Sequence, residues 1–177
     1  MRRWTPRQLV FVDESGINFA LTPTRARAPR GERALDDVPG GHWETYSVVA
    51  ALRSTGIVAP MMLSGAMNTA SLLVWVQEVL APSLNRGDIV VWDNLRIHKD
   101  PEVCTAITSR GARLEFLPPY SPELNPIEEA WSKMKSFLRL AKARTFDALL
   151  QALGEALEAI SSADSMGWFK HAGYVTG

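Results

Sequence analysis

Two short apolar runs in this sequence each end at an aspartate. The first is LVFVD at residues 9–13, and the second is DIVVWD at residues 88–93. A short apolar run that stops at polar residues predicts a β-strand that leaves a core. The unbroken apolar segment at 89–92 is typical of a strand covered on both faces by helices. The chain is therefore expected to fold around a flanked sheet, with Asp13 and Asp93 where two of its strands end.

The remaining segments alternate between strand and helix patterns. Residues 46–65 predict two strands joined by a turn near 53–56, and residues 112–117 predict another strand, which Pro118 and Pro119 end. Helices are predicted at about 69–81, 100–110, 125–141 and 146–160. This order predicts an α/β fold, a mixed sheet with helices on both faces. The Pro-, Gly- and Arg-rich residues 16–44 predict a long exposed loop.

The composition is that of one soluble globular domain. The chain has 177 residues, of which 19 are basic and 19 acidic, and a single cysteine, Cys104. One cysteine excludes an intrachain disulfide and a metal site built on paired cysteines. No apolar segment reaches the length of about eighteen residues that spans a membrane, and the N-terminal segment does not resemble a signal peptide. A cytoplasmic protein without membrane contact is expected.

The zero net charge hides two basic segments. Residues 1–33 contain seven arginines and three acidic residues, a net charge of +4, and residues 130–147 contain five cations and one acid, also +4. Arginine and lysine in such segments favour contacts with phosphate, whereas the alternative is ordinary solvated surface charge. The cations expected to contact DNA phosphates are Arg25, Arg27, Arg30, Arg33, Lys133, Lys135 and Arg139.

A third acidic residue of interest is Glu128, in the segment SPELNPIEEAW at 121–131. With Asn125 as the N-cap, Glu128 occupies the third helical position, where it completes a capping box. The alternative is that Glu128 joins Asp13 and Asp93 as a metal ligand. Three neighbouring carboxylates repel one another unless a cation balances them, and Mg²⁺ prefers such oxygen ligands. For the same reason, replacing Asp93 by asparagine is expected to stabilise the metal-free protein.

Four motifs resemble those of the DDE transposases of the mariner superfamily, in the form carried by bacterial insertion sequences. They are FVDES around Asp13, VVWDNLRIHK around Asp93, LPPYSPELNPIEEAWSKMK around Glu128, and WFKHAGY at 168–174. Thirty-four residues lie between Asp93 and Glu128, an interval characteristic of the family, which favours Glu128 over Glu129. The resemblance covers nearly the whole chain and implies a ribonuclease H-like fold.

The resemblance also implies the chemistry. Asp13, Asp93 and Glu128 would hold two Mg²⁺ or Mn²⁺ ions, with Asp13 bridging both, for DNA cleavage and strand transfer. Asn94 and His98 would orient a phosphate or a metal ligand, although a turn residue and a packed histidine are the simpler interpretations. Partners implied are transposon ends, target DNA and a second copy of the chain.

Other residues near these acids are expected to be structural. Tyr120 and Ser121 are expected to stiffen the Pro-rich loop, and Trp92 and Trp131 to lie in the core rather than to stack on bases. Glu14 and Glu129 adjoin proposed ligands, but neighbouring residues on a strand or helix point in different directions.

The family pattern includes a helix-turn-helix region before the catalytic domain, and only about eight residues precede the first strand here. Residues 1–177 are therefore expected to form a single catalytic domain without its own DNA reader, which a separately encoded subunit or upstream frame product would supply. Two alternatives are another ribonuclease H-like nuclease and a non-catalytic DNA-binding or assembly fragment, such as the remnant of a decayed transposase.

Overall fold

The computed structural model describes residues 4–22, 29–33 and 44–175. Within them, five strands form one mixed sheet in the order β3-β2-β1-β4-β5. The strands are β1 (Leu9–Asn18), β2 (Thr45–Arg53), β3 (Gly56–Ser64), β4 (Ile89–Trp92) and β5 (Arg113–Phe116). The predicted strands and the hairpin of β2 and β3 are thereby confirmed.

Six α-helices accompany the sheet in the described part of the chain. They are α1 (Thr69–Trp75), α2 (Ala81–Ser83), α3 (Pro101–Thr108), α4 (Ile127–Ala141), α5 (Phe146–Glu158) and α6 (Ser162–His171). A π-helical turn, Val76–Leu80, joins α1 to α2, and a 3₁₀ turn, Arg96–Lys99, follows β4. No helix among the described residues is long and apolar enough to cross a membrane.

The sheet has a core on each face, as predicted. Side chains alternate along β1, so Leu9 and Phe11 face α4, α5 and α6, whereas Val10 and Val12 face α1 and α3. All four side chains are buried. The central strands are thus sealed from water on both sides, which explains their unbroken apolar sequences.

Two boundaries and one helix differ from the sequence prediction. Strand β1 continues to Asn18, into the segment expected to be a loop, because β2 pairs with it as far as Asn18 opposite Thr45. The helix that starts at Thr69 does not stop before Pro82, since the π-helical turn carries it on to Ser83. Helix α6 was not predicted, because it buries only Ser165 and Phe169 and so has no apolar stripe.

Candidate active site

Two of the three predicted acids lie on adjacent parallel strands. Strand β1 pairs in parallel with β4, and Phe11 stands opposite Val91 in that register. Asp13 and Asp93 each follow two residues later, so the strand pairing brings them to the same level of the sheet, just beyond the last paired residues of β1 and β4. This place is the carboxyl end of β4, and such strand ends are the usual location of ligand sites in α/β sheets.

Asp13 is buried and receives a hydrogen bond from α4. Asp13 is only 9% exposed, and its Oδ2 accepts a hydrogen bond from the Trp131 indole N–H at 3.1 Å. Burial, and after it the nearby charge of Glu128, raise the pKa of Asp13 to about 7, and the hydrogen bonds that lower this pKa are too weak to offset them. The ionised carboxylate is therefore destabilised by its position and would be stabilised by a cation.

Glu128 lies in the first turn of α4, where its side chain is exposed. Its charge acts on Asp13, so the fold brings the first and third acids into electrostatic contact. The predicted capping box is wrong, because α4 begins at Ile127 and no side chain caps its first turn. Only the backbone carbonyl of Asn125 accepts the Glu128 N–H, at 3.1 Å, while the Asn125 side chain is buried. The capping interpretation of Glu128 is therefore not supported.

A buried histidine links Asp93 to a fourth acid. The Nδ1 of His98 lies 2.6 Å from Oδ1 of Asp93, and its Nε2 lies 3.1 Å from Oε1 of Glu14. The imidazole has no solvent exposure and stacks on the ring of Trp92, with centroids 4.1 Å apart. Both ring nitrogens face carboxylate oxygens, so the doubly protonated ring donates a bond to each.

The two linked groups stabilise each other's charge. Burial alone would lower the pKa of His98, but its hydrogen bonds to Asp93 and Glu14 raise it to about 9. Burial alone would raise the pKa of Asp93, but the bond from His98 and the Leu95 N–H, at 3.1 Å, lower it instead. Asp93 is thus ionised and oriented, and we correct the expectation that its removal would stabilise the metal-free protein. Of the two aspartates, Asp13 is the one whose ionised form is destabilised by its surroundings.

Glu14 has a contact that was not predicted from the sequence. Glu14 does point to the opposite face of the strand from Asp13, as expected, but His98 reaches it there and connects it to Asp93. The simple packing interpretation of His98 is therefore incomplete, since the ring is both packed and bonded to two acids. Asn94 is exposed beside Asp93, and Glu129 is exposed on α4.

The predicted DNA-binding cations have different surroundings. Arg25 and Arg27 lie outside the described residues, and Arg30 and Arg33 are exposed. Lys133 donates to Oδ2 of Asp164 at 2.7 Å and to the Ala159 carbonyl at 2.8 Å, so it ties α4 to the start of α6. The charge of Lys133 is thus paired within the protein, and its contact with DNA stays a prediction.

Lys135 and Arg139 lie seven and eleven residues after Glu128 on α4. In a helix of 3.6 residues per turn, these spacings place all three on one face. Lys133, five residues after Glu128, falls on a different face, which explains its separate role.

The motif at 168–174 holds the Pro-rich loop before α4 in place. The Tyr174 hydroxyl donates to the Leu124 carbonyl at 2.7 Å, and the rings of Tyr174 and Phe169 pack on Phe11. Tyr120, by contrast, is fully exposed, with a relative accessibility of 102%. Its ring stiffens nothing, which corrects the expectation of a structural role.

Both tryptophans predicted to lie in the core are buried there. Each also contacts the site, because Trp92 stacks on His98 and Trp131 bonds to Asp13.

In the residues that the structure describes, no three Asp, Glu, His or Cys side chains converge closely enough to hold a metal ion. The donor set nevertheless fits one. Asp13 is a buried carboxylate whose pKa is raised to about 7 beside a second carboxylate, and hard divalent cations such as Mg²⁺ favour such oxygen donors. The charges of Asp13 and Glu128 repel each other, and a cation bound at these carboxylates would remove that repulsion.

Comparison with solved structures identifies the class of fold. The catalytic domain of Mos1 mariner transposase aligns with a TM-score of 0.67 and 16% identity, covering 96% of this chain and 79% of that one. The Mos1 strand transfer complex aligns with a TM-score of 0.74 and 16% identity, covering 93% of this chain and 51% of that one. A Mos1 paired-end complex with Mg aligns with a TM-score of 0.72 and 18% identity, covering 94% and 52%. The fold is ribonuclease H-like.

The family follows from the sequence. The model of the DDE superfamily endonucleases matches residues 8–150, and the chain belongs to that family. It spans about half the length of the Mos1 chains in the strand transfer and paired-end complexes. No curated protein matches the sequence at a significant level.

Proposed function

We propose that this chain is the catalytic domain of a DDE transposase of the mariner superfamily, of the type carried by bacterial insertion sequences. It would cut DNA phosphodiesters and join the new ends to target DNA. The observation that carries the proposal is the position of Asp13. A carboxylate buried within β1, beside Glu128 and next to the strand that precedes Asp93, has a raised pKa that a divalent cation would lower.

Asp13, Asp93 and Glu128 are the proposed ligands of two Mg²⁺ or Mn²⁺ ions. When bound, such ions activate the attacking oxygen and stabilise the leaving oxygen of a phosphodiester. Mos1 has been crystallised in paired-end complexes with Mg and with Mn, which supports the same choice of metals here.

The residues around the acids would keep them in position. His98 holds one oxygen of Asp93 by a 2.6 Å bond, which leaves the other oxygen of that carboxylate available for a ligand. Trp131 holds Oδ2 of Asp13 in the same way. Because both donors are buried, the two carboxylates are oriented before any substrate arrives.

The cations on α4 suggest a path for DNA. Lys135 and Arg139 follow Glu128 along one face of the helix, so a phosphate backbone at the acids could continue along this face. Arg30 and Arg33 are exposed and would add further contacts. These contacts are to phosphates, and they provide affinity without reading the base sequence.

The proposed partners are transposon ends, target DNA and a second copy of the chain. Mos1 structures include a strand transfer complex and a paired-end complex with the left transposon end. We further propose that residues 1–177 form one catalytic domain and that base-specific recognition of the ends is supplied elsewhere, by a helix-turn-helix region encoded separately or upstream.

A plasmid-nicking assay tests the proposal. The chain should nick supercoiled DNA with Mg²⁺ or Mn²⁺ and not with EDTA. Asp93→Asn should eliminate nicking while circular dichroism shows an unchanged fold, because a neutral amide does not replace a charged ligand. Glu129→Gln is the matched control and should retain activity. Wild-type nicking by folded Asp93→Asn would refute the site.

A further inference from the structure

A separate cavity lies at the amino end of β1, away from the acids. It has a volume of about 520 Å³ and is lined by Thr5, Pro6, Arg7, Ser54, Thr55 and Met166. Because Phe11 of β1 stands opposite Leu52 of β2, the residues before β1 lie beside the turn that joins β2 to β3. Helix α6 forms the third side, since Met166 belongs to it. About 13 Å of strand separates Leu9, at the start of β1, from Asp13, so this cavity is distinct from the acidic site.

The serine of this cavity is buried and lacks a hydrogen-bond partner in the described part of the chain. Ser54 is only 7% exposed, and no described side chain or backbone group bonds to its hydroxyl. Its oxygen is not among the fully enclosed polar atoms of the described residues, so it is open to the cavity that it lines. A hydroxyl as buried as this one ordinarily has a partner. A polar ligand in the cavity would provide it.

Arg7 gives the cavity a positive charge. Its side chain is exposed, and among the described residues it forms no hydrogen bond or ion pair. No acidic residue of the described chain lines the cavity, and Lys170 is exposed one helical turn after Met166 on the same face of α6. A free guanidinium beside the hydroxyls of Ser54 and Thr55 is a set of donors that suits the oxygens of a phosphate group.

The rest of the lining is apolar. It consists of Pro6 and Met166, and Met166 is 39% exposed. A methionine sulfur makes favourable contacts with aromatic rings. The volume of the cavity lies within the range of about 300–1,000 Å³ that is usual for sites that hold a whole small molecule. A ligand with a phosphate group on one side and a flat ring on the other, as in a nucleotide, matches both parts of the lining.

We propose that this cavity binds a nucleotide, with the phosphate on Arg7, Ser54 and Thr55 and the base against Met166. A free nucleotide and the 5′-phosphorylated end of a DNA strand present the same chemistry, and the experiment below distinguishes them. This binding site does not depend on the proposed function, because it shares no residue with the acidic site.

Isothermal titration calorimetry in EDTA tests the site in the absence of divalent metal. The probes are deoxyadenosine 5′-monophosphate, deoxyadenosine, and a short DNA single strand with and without a 5′-phosphate. The wild type should bind a phosphorylated probe saturably, and should bind its unphosphorylated counterpart at least about 10-fold more weakly. Binding of the monophosphate identifies a free nucleotide as a ligand, whereas binding of the phosphorylated strand alone identifies DNA as the source of the phosphate.

Two substitutions remove the phosphate contacts. Arg7→Gln and Ser54→Ala should each weaken binding of the phosphorylated probe roughly 10- to 150-fold, the range for loss of a hydrogen bond to a charged group. Ser54→Ala should not lower the Tm, because its hydroxyl has no partner to lose among the described residues, and a purely structural serine would behave differently. Arg33→Gln removes another exposed arginine of the basic segment 1–33 and is the control that should keep the wild-type preference.

Three results would overturn the proposal. They are equal binding of phosphorylated and unphosphorylated probes, wild-type affinity in both Arg7→Gln and Ser54→Ala, and a loss of preference in Arg33→Gln as large as that in Arg7→Gln, which would indicate general electrostatic attraction. The assay involves neither metal nor cleavage. If the preference is present while plasmid nicking is absent, the nucleotide site stands and the proposed enzymatic function fails.

Discussion

Replacing Asp13 by asparagine should stabilise the metal-free protein at neutral and higher pH. Burial and the charge of Glu128 raise the pKa of Asp13 from 3.8 to about 7. Above pH 7 the native state holds an ionised carboxylate that is unfavourable by about 4 kcal/mol, at about 1.4 kcal/mol for each difference of one in pKa. Asparagine removes this cost, and its amide oxygen can still accept the Trp131 N–H.

The pH dependence has a definite sign. Below about pH 4, Asp13 is protonated in both native and unfolded states, so the variant and the wild type should have similar stability. Between pH 4 and 7 the native state binds the additional proton, and the wild type loses stability relative to the variant as pH rises. The full difference is present above about pH 7.

Thermal unfolding in EDTA at pH 4 and pH 8 measures this difference. A gain of about 4 kcal/mol corresponds to a rise in Tm of roughly 8–16 °C for a chain of this size. Glu129→Gln, which removes an exposed acid from the first turn of α4, is the control and should show no comparable gain. Our reasoning would be refuted if Asp13→Asn were less stable than the wild type at pH 8, or if its gain were the same at both pH values.

Three further predictions concern the acids, the histidine and the basic surface. Glu128→Gln should leave the free energy of unfolding within about 1 kcal/mol of the wild type, since no capping box is lost, but should abolish nicking. Glu129→Gln should retain nicking. The opposite pattern would show that Glu129, and not Glu128, is the third acid of the site. The pKa of His98 is raised from 6.5 to about 9, so its bonds stabilise the fold fully below pH 6.5 and lose this effect as pH rises through 9. In urea unfolding, the free energy of unfolding of the wild type should therefore fall towards that of His98→Ala across that interval. A constant difference between the two proteins would argue against a charged ring. DNA affinity should be insensitive to sequence and should fall with salt at a log–log slope of about −4 to −5 for four to six phosphate contacts; charge reversal at Arg30 and Arg33 should flatten the slope, and a 100-fold preference for one terminal sequence would show that this chain reads bases.

The sequence was sufficient to predict the five strands of the sheet. The apolar runs before Asp13 and Asp93 predict two strands, although β1 continues past Asp13 to Asn18. These features are local patterns of hydrophobicity, which the sequence displays directly.

The contacts that tune the acids could not be predicted in the same way. Glu14 and His98 are 84 positions apart, and their bond exists only because the sheet brings the 3₁₀ turn after β4 beside β1. The bond from Trp131 to Asp13 spans 118 positions. Such contacts depend on the three-dimensional register of the elements. The spacing of Lys133 from Glu128 did contain a usable signal, since five residues on a helix separate two faces.

Titration calorimetry with Mn²⁺ tests the central claim, that Asp13, Asp93 and Glu128 form a site for divalent cations. We predict saturable binding by the wild type, unchanged binding by Glu129→Gln, and loss of binding by both Asp13→Asn and Asp93→Asn. A non-catalytic DNA-binding fragment would show no such dependence. Absence of saturable binding by the wild type, or equal binding by all four proteins, would contradict the account.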